Sequence, residues 1–206
     1  MEKYTVKWKY KNTCYVFHTL PTLFSYRKID NGTIQMLEHV ELKADDKVLD
    51  LGCGYGVVGI WAARNIGEEN VVMSDINIAA LEMADENVNA NSLDTIQIIC
   101  SNGFENIPDK DFTLIMSNPP YHTNFSVAKD FIEGSYKHLK TGGRLVMVTK
   151  RFAWYKNKMQ AVFDGVKWIE SCGYYVFVAE KHMIKKEHKK THSMSKKLMR
   201  KYGRIS

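Results

Sequence analysis

The sequence predicts an α/β protein: a mostly parallel seven-stranded sheet with an antiparallel last strand, preceded by a short N-terminal β-hairpin. Three observations carry this. Apolar runs too continuous for simple in–out alternation (KVLDL, VVMSDI, TIQIIC, FTLIMS, RLVMVTK) recur along the chain, separated by helical patterns, as expected for strands buried on both faces of a parallel sheet. A glycine-rich turn, GCGYG, joins the first of them to its helix. Two final runs, VKWIES and YYVFVAEK, are joined through Gly173 with no helix between them, so one of them has to run against the rest.

The elements follow in order. Residues 4–18 (YTVKWKYKNTCYVFH) alternate aromatic and β-branched residues around Lys11-Asn12, which gives two short strands. Beyond Leu20-Pro21, the Asp30-Asn31-Gly32 punctuation predicts a helix over 33–40. A buried strand is expected at 47–52, then a helix over GVVGIWAARN closing near Gly67. A strand at 71–76 leads to a helix in IAALEMADENVNANS with Leu81, Ala84 and Val88 on one side. Strands at 95–100 and 112–117 precede a helix in FSVAKDFIEGSYKHL. Gly142-Gly143 turns the chain into a strand at 144–150, and a helix around 157–163 precedes the last two strands. The expected organisation is a hairpin over 1–21, a main domain over 22–181 and a basic tail over 182–206.

Composition narrows the class. With 206 residues, 45% hydrophobic and 25% charged, the chain reads as one soluble globular domain with a short appendage. No apolar run approaches the ~20 residues that cross a bilayer, and MEKYTVKWKYKNTCYVF lacks the pattern of a secretion signal. Cys14, Cys53, Cys100 and Cys172 have no metal or redox spacing, so reduced thiols in a cytoplasmic protein are expected. His188 and His192, four apart in a lysine-rich stretch, read as solvated, and no metal is expected. Charge is uneven: Lys181 to Arg204 holds ten Lys or Arg and one acid, a surplus of nine. The whole chain carries +6, so the first 180 residues sum to −3. A basic tail on a slightly acidic body points to a polyanion partner.

Two motifs carry chemistry. In DLGCGYGVVG, Gly52 and Gly54 allow a tight turn and close approach of a ligand, and Gly56 lets the next helix pack near the sheet. Asp75 ends the following strand, about twenty residues on, where an acid accepts the ribose hydroxyls of an adenosine cofactor. A dinucleotide and S-adenosyl-L-methionine both remain open on these residues. Asp50, just before Gly52, suits the amino end of the latter. The second motif, SNPPYH, ends the 112–117 strand at the carboxyl edge where open α/β sheets place their chemistry. The two prolines stiffen the corner. The Asn118 amide oxygen and Pro119 carbonyl can accept from an exocyclic amine and aim its lone pair at an electrophilic methyl group. Tyr121 offers a stacking face for a planar base, and His122 reads as a wall of the pocket. Lys150-Arg151 are candidate phosphate contacts, and Trp154-Tyr155 are candidates to stack on RNA.

DLGCGYG, Ser74-Asp75 and SNPPYH together resemble the class I S-adenosylmethionine-dependent methyltransferases, and within them the methyltransferase small domain family, which includes guanine-N2 methyltransferases of small-subunit ribosomal RNA. The likeness runs to about Lys181, with TLFSYRKIDNG resembling the segment that helps close over the cofactor. It implies a Rossmann-like class I methyltransferase fold and S-adenosyl-L-methionine as cofactor. The implied cofactor-binding set is Asp50, Gly52, Cys53, Gly54, Gly56, Asp75, Ile76, Asn102, Gly103 and Asn118. The implied catalytic set is Asn118, Pro119, Pro120 and Tyr121. Asn102 stands where the family often has an aspartate that meets the adenine amine; asparagine can still accept that bond. The implied activity is methylation of guanine N2 in ribosomal RNA or the small subunit, reached through the active-site rim and basic tail, by a monomer or weak dimer. The same motifs also occur in adenine-N6 and protein glutamine methyltransferases. An RNA-binding assembly factor without catalysis is the rival of another class, against which the intact Asp50, Asp75 and Asn118 speak. Many guanine-N2 members carry a second, degenerate domain copy; one copy is read here.

Overall fold

The alternating N-terminal residues pair as expected. In a computed structural model, which describes residues 2–120 and 125–183, β1 (Tyr4–Tyr10) and β2 (Thr13–Thr19) form an antiparallel hairpin with Tyr4 opposite Thr19. The two strands make a sheet of their own. The other seven strands are β3 (Val48–Leu51), β4 (Val71–Asp75), β5 (Gln97–Cys100), β6 (Phe112–Ser117), β7 (Leu139–Thr149), β8 (Lys167–Ser171) and β9 (Tyr174–Glu180). They lie in the order β5-β4-β3-β6-β7-β9-β8. β3 to β7 are mutually parallel, and β9 runs antiparallel to both β7 and β8. This is the mostly parallel, Rossmann-like sheet that the sequence predicts, with its last strand reversed.

Helices cover both faces, which is why the central strands read as continuous apolar runs. On one side Val48, Met73, Leu114, Met116 and Val146 pack with residues of α1 (Asn31–His39), α2 (Val57–Ile66) and α3 (Ile78–Ala90), including Met36, Ile60 and Ala84. On the other, Leu49, Leu51, Ile115, Leu145 and Met147 meet Phe131 and Ile132 of α4 (Ser126–His138) and Met159 and Phe163 of α5 (Phe152–Phe163). Each large apolar side chain removed from water in this way is worth about 1.5–3 kcal/mol.

Three boundaries depart from expectation, each for a tertiary reason. α1 starts two residues early because the Asp30 carboxylate caps it, accepting from the Thr33 N–H at 3.1 Å. α5 starts at Phe152 rather than near residue 157, because Phe152 packs on Tyr175 and Phe177 of β9 and Tyr155 is fully buried. The Gly142-Gly143 turn lies inside β7: it shifts the register against β6 and bonds to the Lys181 backbone through Gly142 N–H and Gly143 C=O.

The hairpin docks by an arrangement that strand propensity does not reveal. Asn87 of α3 and Asn91, the C-cap one turn on, present buried amides to β2. Asn91 accepts from Val16 N–H (3.1 Å) and donates to its C=O (2.7 Å); Asn87 does the same for His18 (2.6 and 2.8 Å). Two side chains thereby stand in for a neighbouring strand on β2's outer edge. No helix among the described residues is long and apolar enough to cross a membrane.

Candidate active site

Strand order reverses between β3 and β6: the chain steps outward from β3 to β5, then returns to pair β6 on the opposite side of β3. Loops leaving the carboxyl ends of such neighbours diverge and open a crevice. The glycine loop leaves β3 and Asn118-Pro119-Pro120 leaves β6, and both line one cavity of about 460 Å³.

The glycine loop is held from both sides. Gly52 N–H and Cys53 N–H both donate to the Ser74 carbonyl, at 2.8 and 2.9 Å. Gly54 N–H donates to Asp75 Oδ2 at 2.8 Å, and Asn77 N–H to Asp75 Oδ1 at 2.9 Å. Gly56, at φ +94°, is the left-handed cap from which α2 begins. The close helix–sheet approach is made one turn later, at Gly59, where a Cβ would stand 2.4 Å from Met73.

The cavity's charge is one-sided. Asp30, Asp50 and Asp75 line it, and no described lysine, arginine or histidine does. Asp50 is 2% exposed and accepts from Gly59 N–H at 2.8 Å. Burial pushes its carboxyl up to about 7, with the Asp75 charge adding to the effect and the Gly59 bond opposing it. Burial, and after it the charges of Asp50 and Asp75, also raise the Cys53 thiol well above its usual range, which keeps it protonated and inert.

Of the residues singled out in the sequence, Asp50, Gly52, Cys53, Gly54, Asp75, Ile76, Asn102, Gly103, Asn118, Pro119 and Pro120 all line this cavity. Gly56 does not; it faces Ile60, Ala84 and Met73. Tyr121 and His122 lie outside the described residues, as do His188, His192 and most of the 182–206 tail. Asn102 donates its amide nitrogen to Glu105 at 3.0 Å, which leaves its side-chain oxygen as an acceptor. Among the described residues no His, Cys, Asp or Glu cluster could hold a metal.

One wall comes from Thr22, Leu23, Phe24 and Ser25. This wall is tied to the glycine loop by the Tyr55 hydroxyl, which donates to the Ser25 carbonyl at 3.3 Å. Phe131 supports the floor beneath Gly52 and Gly103. Away from the lining residues, the Arg151 guanidinium lies over Phe125, which stacks on Trp154 at 4.3 Å, and Lys150 lies over Tyr174. The expectation that Tyr155 stacks on RNA is corrected by its burial, since it is 1% exposed and belongs to the core, whereas Trp154 is half-buried against Phe125. Sequence reasoning passed over Asp30 and Thr33, which also line the cavity. Asn118 Nδ2 donates to Asp30 Oδ2 at 2.9 Å and to Thr33 Oγ1 at 3.0 Å. Their sequence signal was the cap pattern alone.

A family model described as "Methyltransferase small domain" matches residues 14–178. The chain belongs to that family. This methyltransferase small domain is 35% identical over 153 residues to the "Ribosomal RNA small subunit methyltransferase C" of Psychromonas ingrahamii, covering 72% of this chain and 43% of that protein. It therefore spans less than half of that relative. It is also 29% identical over 185 residues to Bacillus subtilis YbxB, described as uncharacterised, covering 87% of this chain and 92% of YbxB. Among solved structures it is similar to the Thermus thermophilus 16S rRNA N2 G1207 methyltransferase RsmC in complex with AdoMet and guanosine. The TM-score is 0.81 at 28% identity, over 87% of this chain and 51% of that one. The Rossmann-like class I methyltransferase fold follows for this domain.

Proposed function

We propose that this protein transfers the methyl group of S-adenosyl-L-methionine to an exocyclic amine of RNA, with guanine N2 of small-subunit ribosomal RNA as the target. The observation that carries the reading is a cavity with three carboxylates and no described cation, lined as well by an Asn-Pro-Pro corner. A dinucleotide would bring a pyrophosphate anion against those carboxylates; a sulfonium with an ammonium group suits them. Asp50 would hold the ammonium of the amino-acid end, Asp75 the ribose, Ile76 and Asn102 the adenine. When bound, the cofactor supplies an electrophilic methyl carbon whose bond to sulfur breaks as the amine nitrogen attacks, its electron pair passing to sulfur.

The chain's own part is orientation and polarity. Asn118 Oδ1 and the Pro119 carbonyl accept the two amine hydrogens, aim the nitrogen lone pair and stabilise the positive charge that grows on nitrogen. No strong base is needed, since the amine proton leaves to water after transfer. Tyr121 supplies the stacking face. Lys150, Arg151 and the 182–206 tail take the RNA backbone. The name of the Psychromonas relative and the guanosine held by the Thermus enzyme support guanine in ribosomal RNA as substrate. With a ribosomal substrate, we read the protein as cytoplasmic and as a monomer or weak dimer.

The test is transfer of tritiated methyl to total RNA and, separately, to protein extract, followed by nucleoside analysis. Label in N2-methylguanosine is expected, and label only in protein would overturn the RNA assignment. Asn118→Ala should slow turnover by about 100-fold or more with cofactor binding retained.

A further inference from the structure

Asn118 can present two opposite chemistries to a ligand, a carbonyl oxygen or an NH2 group, and only the first serves an amine that must donate its hydrogens. SNPPYH does not say which faces the cavity. The choice is made by α1, more than eighty residues earlier in the chain. Asp30 Oδ2 accepts from the Thr33 backbone N–H at 3.1 Å as helix cap, and the same oxygen accepts from Asn118 Nδ2 at 2.9 Å. Thr33 Oγ1 accepts from that nitrogen as well, at 3.0 Å. A carboxylate can only accept, so it fixes the NH2 group on the α1 side. Both hydrogens of the nitrogen are spent there, and the amide oxygen is the side-chain atom that Asn118 can offer elsewhere.

The backbone makes the contact possible at close range. A Cβ on Gly32 would stand 2.8 Å from both Asp30 Oδ2 and the Tyr174 ring, so glycine at the second residue of α1 leaves room for the carboxylate beneath β9. The electrostatics favour the same role. An amide whose N–H bonds a carboxylate carries more negative charge on its oxygen and accepts more strongly. The Asp30 charge also lies one side chain away from the nitrogen that becomes positive during transfer, in a cavity that Asp30 itself lines.

We infer that Asp30, with Thr33, is the positioning pair of the active site, holding Asn118 as an acceptor and so selecting a substrate that presents an amine rather than a carbonyl. This rests on the reading of Asn118 as the amine-binding residue.

The test exchanges the partners. Asn118→Asp places two carboxylates together and should slow single-turnover methyl transfer to small-subunit ribosomal RNA about 100-fold at saturating S-adenosylmethionine. Adding Asp30→Asn restores one donor and one acceptor in reversed order and should recover about tenfold of that rate. A helix cap with no part in positioning Asn118 would give no recovery, and a double variant no faster than Asn118→Asp overturns the inference. A second pair, Asp30→Ser with Thr33→Val, keeps a capping oxygen but removes both acceptors from Asn118. Its thermal midpoint should hold while the rate falls about tenfold. In the free protein, the Asn118 side-chain NH2 resonances should exchange slowly with solvent in the wild type and fast in this pair. Equal exchange overturns the inference whatever the activity. Absence of methylated RNA from the wild type would instead sink the substrate reading and leave the NMR comparison decisive for the positioning role.

Discussion

Replacing Asp50 by asparagine should make the unliganded protein more stable while damaging its affinity for S-adenosylmethionine. Asp50 lies behind the glycine loop, 2% exposed, with one backbone N–H as its hydrogen-bond partner. Burial first, then the Asp75 charge, lifts its carboxyl from the ordinary 3.8 to about 7. The folded state therefore holds the proton more tightly than the unfolded chain. Its contribution to stability is fully present below about pH 4 and is lost as pH rises to about 7, at about 1.4 kcal/mol per pH unit. The whole loss is about 4 kcal/mol, an upper figure because an ionised interior relaxes. Asparagine keeps an oxygen for Gly59 N–H and carries no charge. Urea denaturation should thus find Asp50→Asn level with wild type near pH 4 and more stable by up to about 4 kcal/mol near pH 8. Binding reverses the preference. An arriving ammonium needs the ionised carboxylate, so affinity measured by calorimetry should rise about tenfold per pH unit up to about pH 7, with proton release, and fall once the ligand's own amino group deprotonates near pH 8. In Asp50→Asn the rising limb should disappear. A wild-type affinity that is flat between about pH 5.5 and 7, or an Asp50→Asn protein no more stable than wild type near pH 8, would refute the reasoning.

Other consequences are as direct. Asn91→Leu leaves the Val16 N–H and C=O without partners and should cost about 1–3 kcal/mol per stranded group, seen as lost hydrogen-exchange protection at Val16 and His18 before any change in the central sheet. Gly59→Ala drives a Cβ to within 2.4 Å of the buried Met73; despite alanine's better helix propensity, denaturant unfolding should report a net loss of about 1–3 kcal/mol. Removing residues 182–206 takes away most of the surplus basic charge, so RNA affinity should fall and its salt slope flatten by about 0.9 for each phosphate that the tail had neutralised, with cofactor affinity unchanged. An unchanged slope would show that the tail does not touch the RNA backbone.

Local chemistry made much of this legible in advance. GCGYG reads as a ligand-cradling turn because three of its residues require or favour left-handed backbone, and Gly52, Gly54 and Gly56 all have positive φ. The missing helix between the last two strands implies the reversed direction of β9, because a short connection can only fold back. Less legible were features built by residues distant in sequence. Tyr155 reads as a surface aromatic beside Lys150-Arg151, yet its place under β9 makes it core. Asn87 and Asn91 carry no local signal that marks them out, yet they form the edge against which the hairpin sits.

The sequence by itself determined the order of elements, the cofactor-type loop and the Asn-Pro-Pro corner, because backbone conformation at glycine and proline and the burial period of strands are set within a few residues. Tertiary structure alone decided how Asn118 is turned, how far burial raises Asp50 and which charges share the cavity. Those depend on groups such as Asp30 and Thr33, 88 and 85 residues from Asn118, and electrostatic and hydrogen-bond energies follow distance in space rather than along the chain.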